Sequence, residues 1–435
     1  MTTLRRTLLT LGCAGAAAAA AACGDEPSRA PGGPPATPLS SSICSPVSYG
    51  GPGRPQYLIV VSSGFLGRYK GHGVQTAQAI KLVLTQREWR AGEYTVGLQA
   101  CEETSAKTGL PSPEKCARNA RAFAGNSSVL GVIGPLTSDC ATHMLATLNR
   151  APGGPLATIS GGNSYLGLTR SGPGTRPGEP GRYHPTGRRG YARLAPTDDV
   201  QGAANALFAE RNDARRAFVV HDGSSYGRGL AATFTYASRR IGLGLVGAAR
   251  WDPEADDYLP LVARIRAERP DTVFIAGIAS GPELIADLAD GLGREVQLMA
   301  GDALEPSSIV EAAGAGAEGL VISIAVLPTS DLPPAGRAFA DEFTKRFSQH
   351  PCCYSVHDAQ GTGMLLDAIA RSGGDRSRVA EGVMTAEVSG GLVGDFSIDR
   401  NGDTTLNQMG MYRIRAGRIR FETVITPVPE LLARE

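Results

Sequence analysis

An excess of charge of either sign is what this sequence lacks most plainly. Lys and Arg number 43 and Asp and Glu 42, for a formal net charge of +1. No basic surplus is available to hold nucleic acid by counterion release, so no nucleic-acid partner is expected. Aromatic residues are scarce at 6%, which leaves a core to be built from Ala, Val, Leu and Ile. Beyond the N-terminus no apolar run approaches the roughly 20 residues that a spanning helix needs. Metal-ligand spacing is missing too: there is no C-x-x-C pair, and His72, His143, His184, His221, His350 and His357 are scattered. Neither a metal nor a cofactor is expected. What is present is a chain of 435 residues, too long for one ordinary core and enough for two domains with tails. Hydrophobic content of 42% and charged content of 20% place it among folded soluble proteins. Its 56 Gly and 29 Pro imply many turns between short elements.

Residues 1–22 read as an address. Arg5 and Arg6 precede an apolar stretch from Thr7 to Ala22 that closes on alanines and Cys23, the order of a secretory signal. Gly24-Asp25-Glu26 follows, not a basic stop. The Ala20-Ala21-Ala22-Cys23 end resembles a bacterial lipobox, with Ala20 where Leu is usual, and implies lipidation of Cys23; Cys13 is the competing position. The Arg5-Arg6 pair also resembles a twin-arginine export signal. Residues 23–55 are rich in Pro, Gly and Ser without periodicity and read as a flexible tether. The folded part is then extracytoplasmic, held at the cell membrane by a lipid anchor.

Cysteine use agrees with an oxidising compartment, since six cysteines follow Cys23: Cys44, Cys101, Cys116, Cys140, Cys352 and Cys353. Six cysteines allow about 15 pairings. A Cys116–Cys140 bond is expected, because Cys116 opens a helix, Cys140 follows a strand, and the bridge would brace the loop carrying Ser138. Cys44 and Cys101 are left without a partner, and adjacent Cys352 and Cys353 could each take a separate one.

From Tyr57 short apolar runs alternate with longer amphipathic ones. Strands are expected at 57–61, 94–98, 129–134 and 156–159, with helices at 74–89, 112–124 and 139–150. Ser112-Pro113-Glu114 supplies an N-cap, an N1 proline and a first-turn acid. Residues 171–190 read as a long surface loop. The beat restarts with strands near 216–220, 245–250, 272–276, 297–300 and 319–324, and helices near 198–211, 228–241, 257–268, 281–293 and 306–313. Two such runs mean two α/β lobes with parallel sheets. Helices near 334–347, 354–372 and 376–385 and a hairpin over 409–425 suggest that the chain returns to each lobe.

Three motifs invite stronger readings. Gly242-Leu-Gly244-Leu-Val-Gly247 matches G-x-G-x-x-G, but a helix precedes it and a strand follows, the reverse of a phosphate-binding turn. A helix C-cap and turn is the better account. Gly223-Ser-Ser225-Tyr-Gly227 matches the nucleophile elbow between strand and helix. A secreted hydrolase using Ser225, with His350 or His357 as base, stays as an alternative. Asp399-Arg-Asn401-Gly-Asp403 lacks the spacing and the Glu of a calcium loop and reads as a turn.

Several segments in order resemble the type I periplasmic binding proteins of the branched-chain amino-acid (Leu/Ile/Val) receptor family of ABC-transporter substrate-binding lipoproteins. They are Gly131-Val-Ile-Gly-Pro-Leu-Thr-Ser138, Ile159-Ser-Gly-Gly-Asn-Ser-Tyr-Leu-Gly-Leu-Thr169, Tyr191-Ala-Arg-Leu-Ala-Pro-Thr-Asp-Asp199 with Gln201-Gly202, and Val219-Val-His-Asp222 with Tyr226-Gly-Arg-Gly-Leu230. The resemblance runs from about Tyr57 to Phe421 and implies a two-lobed fold, each lobe a parallel sheet flanked by helices, with three interlobe crossings. It implies an N-terminal lobe of 56–194 with 326–394 and a C-terminal lobe of 195–325 with 395–425. It also implies a monomer with no enzymatic activity that closes on a small amino-acid-like or amide-like ligand and delivers it to ABC permease and ATPase subunits. A ligand-sensing lipoprotein that signals to a membrane partner is the other reading, because lobe closure serves both.

The resemblance carries Ser138, Gly162, Ser164, Tyr226, Tyr69 and Asp302 over as ligand-binding residues. Ser138, between a strand and a helix, suits a carboxylate at a helix N-terminus. Asp302, at the end of a second-lobe strand, suits an α-ammonium. One position departs: an aromatic residue of the family falls near Gly277-Ile278-Ala279 here, so the pocket should differ in shape and leucine is not assured.

Overall fold

The all-apolar run Leu58–Val61 suits a strand buried on both faces, and it lies in the middle of the first sheet. The computed structural model describes residues 33–433 except 254, 256, 279–281, 304–308 and 311–312. The first lobe strings together β1 (Tyr57–Ser63), α1 (Lys70–Gln86), β2 (Arg90–Ala91), β3 (Tyr94–Glu102), α2 (Pro113–Gly125), β4 (Val129–Ile133), α3 (Ser138–Asn149), β5 (Ala157–Ser160) and β6 (Tyr191–Arg193). The sheet order is β2-β3-β1-β4-β5-β6, parallel except for the β2–β3 pair. Helix α2 starts where its sequence demands: the Ser112 hydroxyl accepts from the Lys115 amide at 3.3 Å, and Pro113 follows.

The second lobe repeats the pattern with α4 (Asp198–Arg211), β7 (Arg216–His221), α5 (Ser225–Ile241), β8 (Gly244–Arg250), α6 (Leu259–Ala267), β9 (Thr272–Ala276), α7 (Pro282–Leu292), β10 (Gln297–Ala300) and β11 (Val321–Ile324). The helix expected near 306–313 falls mostly outside the described residues. Gly242 ends α5 at φ +79, where a Cβ would be strained, and β8 follows at once. The G-x-G-x-x-G match is therefore a helix exit. Likewise Asp399 accepts from the amides of Asn401 and Asp403 at 2.8 and 2.9 Å, which makes the acidic motif a turn.

Helices α8 (Pro334–Phe347), α9 (Ser355–Ser372) and α10 (Arg376–Met384) return to the first lobe. There Phe343, Leu365, Ile369 and Val379 share a core with Ile59, Val61 and Leu98. Burying each such side chain contributes about 1.5–3 kcal/mol, which fixes helices so remote in sequence. A short hairpin, β12 (Glu387–Gly391) and β13 (Gly394–Ser397), follows; the sequence reading had no element there. The hairpin β14 (Met409–Arg415) and β15 (Arg418–Ile425) crosses back to the second sheet, whose order is β15-β14-β11-β10-β9-β7-β8. β14 meets β11 antiparallel, while β7 to β11 are parallel. The result is the mixed α/β, parallel-sheet-dominated two-lobed architecture, with the chain passing between lobes three times.

The tether needs correction from residue 33 onward. Ala36 and Leu39 are buried, the Ser45 amide donates to the Ala100 carbonyl at 2.7 Å, and Ser48 and Leu98 exchange bonds at 2.8 and 2.9 Å. Cys44 is disulfide-bonded to Cys101, the partner that the sequence left open. Pro, Gly and Ser exclude a helix here but not pairing with the outer edge of β3, which this segment covers. The expected Cys116–Cys140 bond is present. Cys352 and Cys353 cannot take separate partners from those four cysteines, which are consumed in two bonds. Cys13, Cys23 and the leader lie outside the described residues. Among the described residues no helix is long and apolar enough to cross a membrane.

Candidate functional site

A parallel sheet presents the C-terminal ends of its strands to one side, and there the two lobes enclose a cavity of about 290 Å³. All six residues carried over by resemblance line it: Tyr69, Ser138, Gly162, Ser164, Tyr226 and Asp302. At the end of β4, Thr137 caps α3 by accepting from the Cys140 amide at 3.3 Å. Ser138 is thereby relieved of capping. Its hydroxyl accepts from the Tyr165 amide at 3.2 Å and keeps its own hydrogen to donate.

The loop after β5 is bolted to the loop after β4. The Ser160 hydroxyl donates to the Pro135 carbonyl at 2.9 Å, and the Asn163 side chain donates to the Leu136 carbonyl at 3.2 Å. The Ser164 carbonyl is taken by the Asp198 amide at 2.8 Å, and its hydroxyl lies against the buried Asp198 carboxyl in the cavity wall. Two buried acids hold these loops from beneath. Glu103 accepts from the Ser62 hydroxyl at 2.9 Å and the Leu136 amide at 3.1 Å, and burial pushes its carboxyl up to about 7. Asp358 accepts from the Thr76 hydroxyl at 2.7 Å and the Gly161 amide at 3.2 Å, and burial pushes it up to about 6. Tyr69 is 8% exposed, and no group among the described residues hydrogen-bonds its hydroxyl. A buried donor without an acceptor is costly.

On the second lobe Asp302 follows β10. Its Oδ1 accepts from the Tyr226 hydroxyl at 2.7 Å and from Nε2 of the Gln201 side chain at 3.1 Å, and its Oδ2 accepts from the Tyr354 hydroxyl. Tyr226 also lies 3.2 Å from Gln201 Oε1, but it has one hydrogen and the shorter, charge-assisted contact takes it. Burial first, and then the Asp302 charge, push both tyrosine hydroxyls well above their usual range, so both remain donors. Gly301 permits this approach, since a Cβ there would sit 2.2 Å from the Tyr226 hydroxyl oxygen.

Tyr354 opens α9 on the first lobe, so its bond to Asp302 spans the cleft. Other contacts join the lobes as well, among them the Ser225 amide donating to Asp139 Oδ1 at 3.0 Å and the Arg68 guanidinium donating to the Ile278 carbonyl at 3.3 Å. The lobes are closed on the cavity. Ser225, the nucleophile of the hydrolase reading, is engaged with Asp139, while His350 contacts Thr344 at 3.2 Å and His357 lines a different cavity. Arg68, His72 and Thr137 add polar groups to the lining, and Leu136, Ile278, Ile324, Val326 and Ile419 form an apolar part with Tyr412. Ile278 stands where the family's aromatic residue was missed; Tyr354 and Tyr412 bring aromatic surface from other elements.

Sequence reasoning missed Tyr354, Tyr412, Cys352 and Cys353 in the lining, Gln201 as a support of Asp302, and the buried Glu103 and Asp358. Only Gln201 had a signal, because it sat in a segment already singled out as a crossing.

A family model described as "Periplasmic binding protein" matches residues 111–418. The chain is 26% identical over 231 residues to a Leu/Ile/Val-binding protein homolog from Brucella melitensis, covering 52% of this chain and 60% of the relative, less than two thirds of its length. It is 24% identical over 322 residues to the Leu/Ile/Val/Thr-binding protein of Salmonella typhimurium, covering 74% and 85%. A crystal structure of a leucine binding protein from Thermotoga maritima superposes with a TM-score of 0.73 at 23% identity, covering 85% of this chain and 99% of that one. At that identity the superposition speaks for the fold.

Proposed function

The chain belongs to the periplasmic binding protein family, and on that premise we propose that it is an extracytoplasmic receptor for an amino acid with an apolar side chain. The observation that carries this reading is Asp302. It is a carboxylate at the cavity wall, with three donors arranged around it and one lone-pair direction on Oδ2 left open. An α-ammonium fits there. The first lobe offers the complement: the Ser138 and Ser164 hydroxyls, the unsatisfied Tyr69 hydroxyl and the start of α3 favour a carboxylate. Leu136, Ile278, Ile324, Val326 and Ile419 leave an apolar compartment for the side chain. About 290 Å³ lies just below the usual range of ligand pockets, roughly 300–1,000 Å³, which suits a single small solute. The names of the curated relatives point to the same ligand class.

In this reading the lobes of 56–194 with 326–394 and of 195–325 with 395–425 close around the ligand, and the closed form is read by ABC permease and ATPase partner chains. Cys23 carries a lipid that keeps the receptor at the membrane. Mass spectrometry of the N-terminal peptide, finding unmodified Cys23 in the exported protein, would remove the anchor. A thermal-shift screen of L-amino acids against their deaminated analogues tests the ligand, because only a molecule that binds the folded state raises the midpoint. Amino acids with apolar side chains should raise it and the deaminated analogues should not; equal shifts from both would refute an ammonium at Asp302.

A further inference from the structure

Two cysteines follow one another in the wall of the cleft. Cys352 and Cys353 both line the cavity, immediately before Tyr354, and their sulfurs lie 2.8 Å apart. No other cysteine among the described residues competes for them, since Cys44–Cys101 and Cys116–Cys140 are already bonded. Those two bonds also show a chain built for an oxidising compartment. Cys353 holds φ +56, a left-handed conformation that a residue with a Cβ adopts only when its surroundings impose it. The surroundings do so: the Cys352 amide donates to Gln75 on α1 at 2.7 Å. Its carbonyl accepts from the Ser355 hydroxyl at 2.8 Å and the Ser355 amide at 3.2 Å. Cys352 is exposed and Cys353 half-buried, so an oxidant reaches the pair from solvent.

We propose that Cys352 and Cys353 close into a vicinal disulfide that forms one wall of the ligand cavity. The oxidant is a low-molecular-weight disulfide such as oxidised glutathione. The thiolate of one cysteine attacks it and releases one thiol, and the second cysteine then displaces the other from the mixed disulfide. Two S–H bonds and one S–S bond are consumed; one S–S bond and two S–H bonds are made. The closed pair presents no thiol hydrogen to the ligand, so this wall loses two weak donors and becomes less polar. It also stiffens the peptide that delivers the Tyr354 hydroxyl to Asp302, and a wall ordered in advance loses less freedom when ligand binds. The bond stands independently of the ligand; its effect on affinity rests on the amino-acid reading above.

The test uses the full chain exported to a bacterial periplasm and purified without reductant. After denaturation and iodoacetamide treatment, the peptide carrying Cys352 and Cys353 should be unalkylated and lighter by two hydrogens than the dithiol. It should accept two alkyl groups only after reduction. Two alkyl groups without reduction, or either cysteine joined to another chain or residue, would overturn the proposal. In calorimetry with L-leucine and L-phenylalanine, the double variant Cys352→Ala with Cys353→Ala should bind about fivefold to thirtyfold more weakly than the parent. Equal affinity would refute the role of the bond in the wall. A parent that shows the linked peptide yet binds no amino acid would refute the ligand reading and leave the bond established.

Discussion

Replacing Asp302 separates an ammonium receptor from any other cleft. The carboxylate accepts two hydrogen bonds on Oδ1, from Tyr226 and Gln201, and one on Oδ2, from Tyr354. Asp302 lines the cavity. With a bound amino acid, Asp302→Ala leaves the ammonium desolvated and unpaired. Removing one member of such a pair costs about 2–5 kcal/mol, or about 30-fold to several-thousand-fold in Kd. Asp302→Asn keeps the shape but not the charge, and its NH2 group must face at least one donor, so it should lose nearly as much. The ligand-free protein feels the change too. The Tyr226 and Tyr354 hydroxyls, both in buried side chains, lose their acceptor in Asp302→Ala, at about 1–3 kcal/mol for each donor left unsatisfied. Calorimetry with L-leucine and L-phenylalanine reads the first effect, and urea denaturation without ligand reads the second. Both variants binding within about twofold of the parent would show that Asp302 meets no ammonium. A ligand-free stability equal to that of the parent would show that the three donors do not depend on it.

Tyr354→Phe removes a bond that spans the cleft and leaves Asp302 its other donors; affinity should fall by about fivefold to twentyfold, and small-angle scattering of the liganded variant should show a more open population. A scattering curve identical to the parent's would refute a latch. Glu103 has its folded-state pKa raised from 4.5 to about 7, so the folded protein holds the proton more tightly than the unfolded chain. The stability it contributes is complete below about pH 4.5 and is lost as pH rises through about 7, an effect of about 3 kcal/mol. Glu103→Gln should flatten the stability profile between about pH 4.5 and about pH 7, the interval spanned by those two pKa values, and parallel profiles would refute the assignment. Cys116→Ser with Cys140→Ser opens a loop of sequence separation 24 and should cost about 3 kcal/mol by denaturant midpoint; a loss below about 1 kcal/mol would mean that Glu103 and Asn163 hold the Ser138 loop without it.

Much of this molecule could be read from local pattern. Strands such as Thr272–Ala276 and Gln297–Ala300 and helices such as Asp198–Arg211 and Pro334–Phe347 coincide with their expected limits, because apolar period, N-cap and proline position act over a few residues. The six residues taken from the resemblance meet in one cavity because they follow strands or open helices, where a parallel sheet must present its ends. What only the tertiary structure decided is long-range. Composition described residues 33–55 as loose, but the unpaired edge of β3 and the Cys44–Cys101 bond hold them down. Tyr354 reaches Asp302 across 52 residues of sequence, and Gln201 reaches it across 101, so no window of sequence contains the pair. Glu103 and Asp358 look like ordinary surface acids in the sequence; burial under the loops after β4 and β5, which depends on how helices and strands pack, is what shifts their titration. Local physics selects each element, whereas the partners of a side chain are set by which elements the hydrophobic cores bring together.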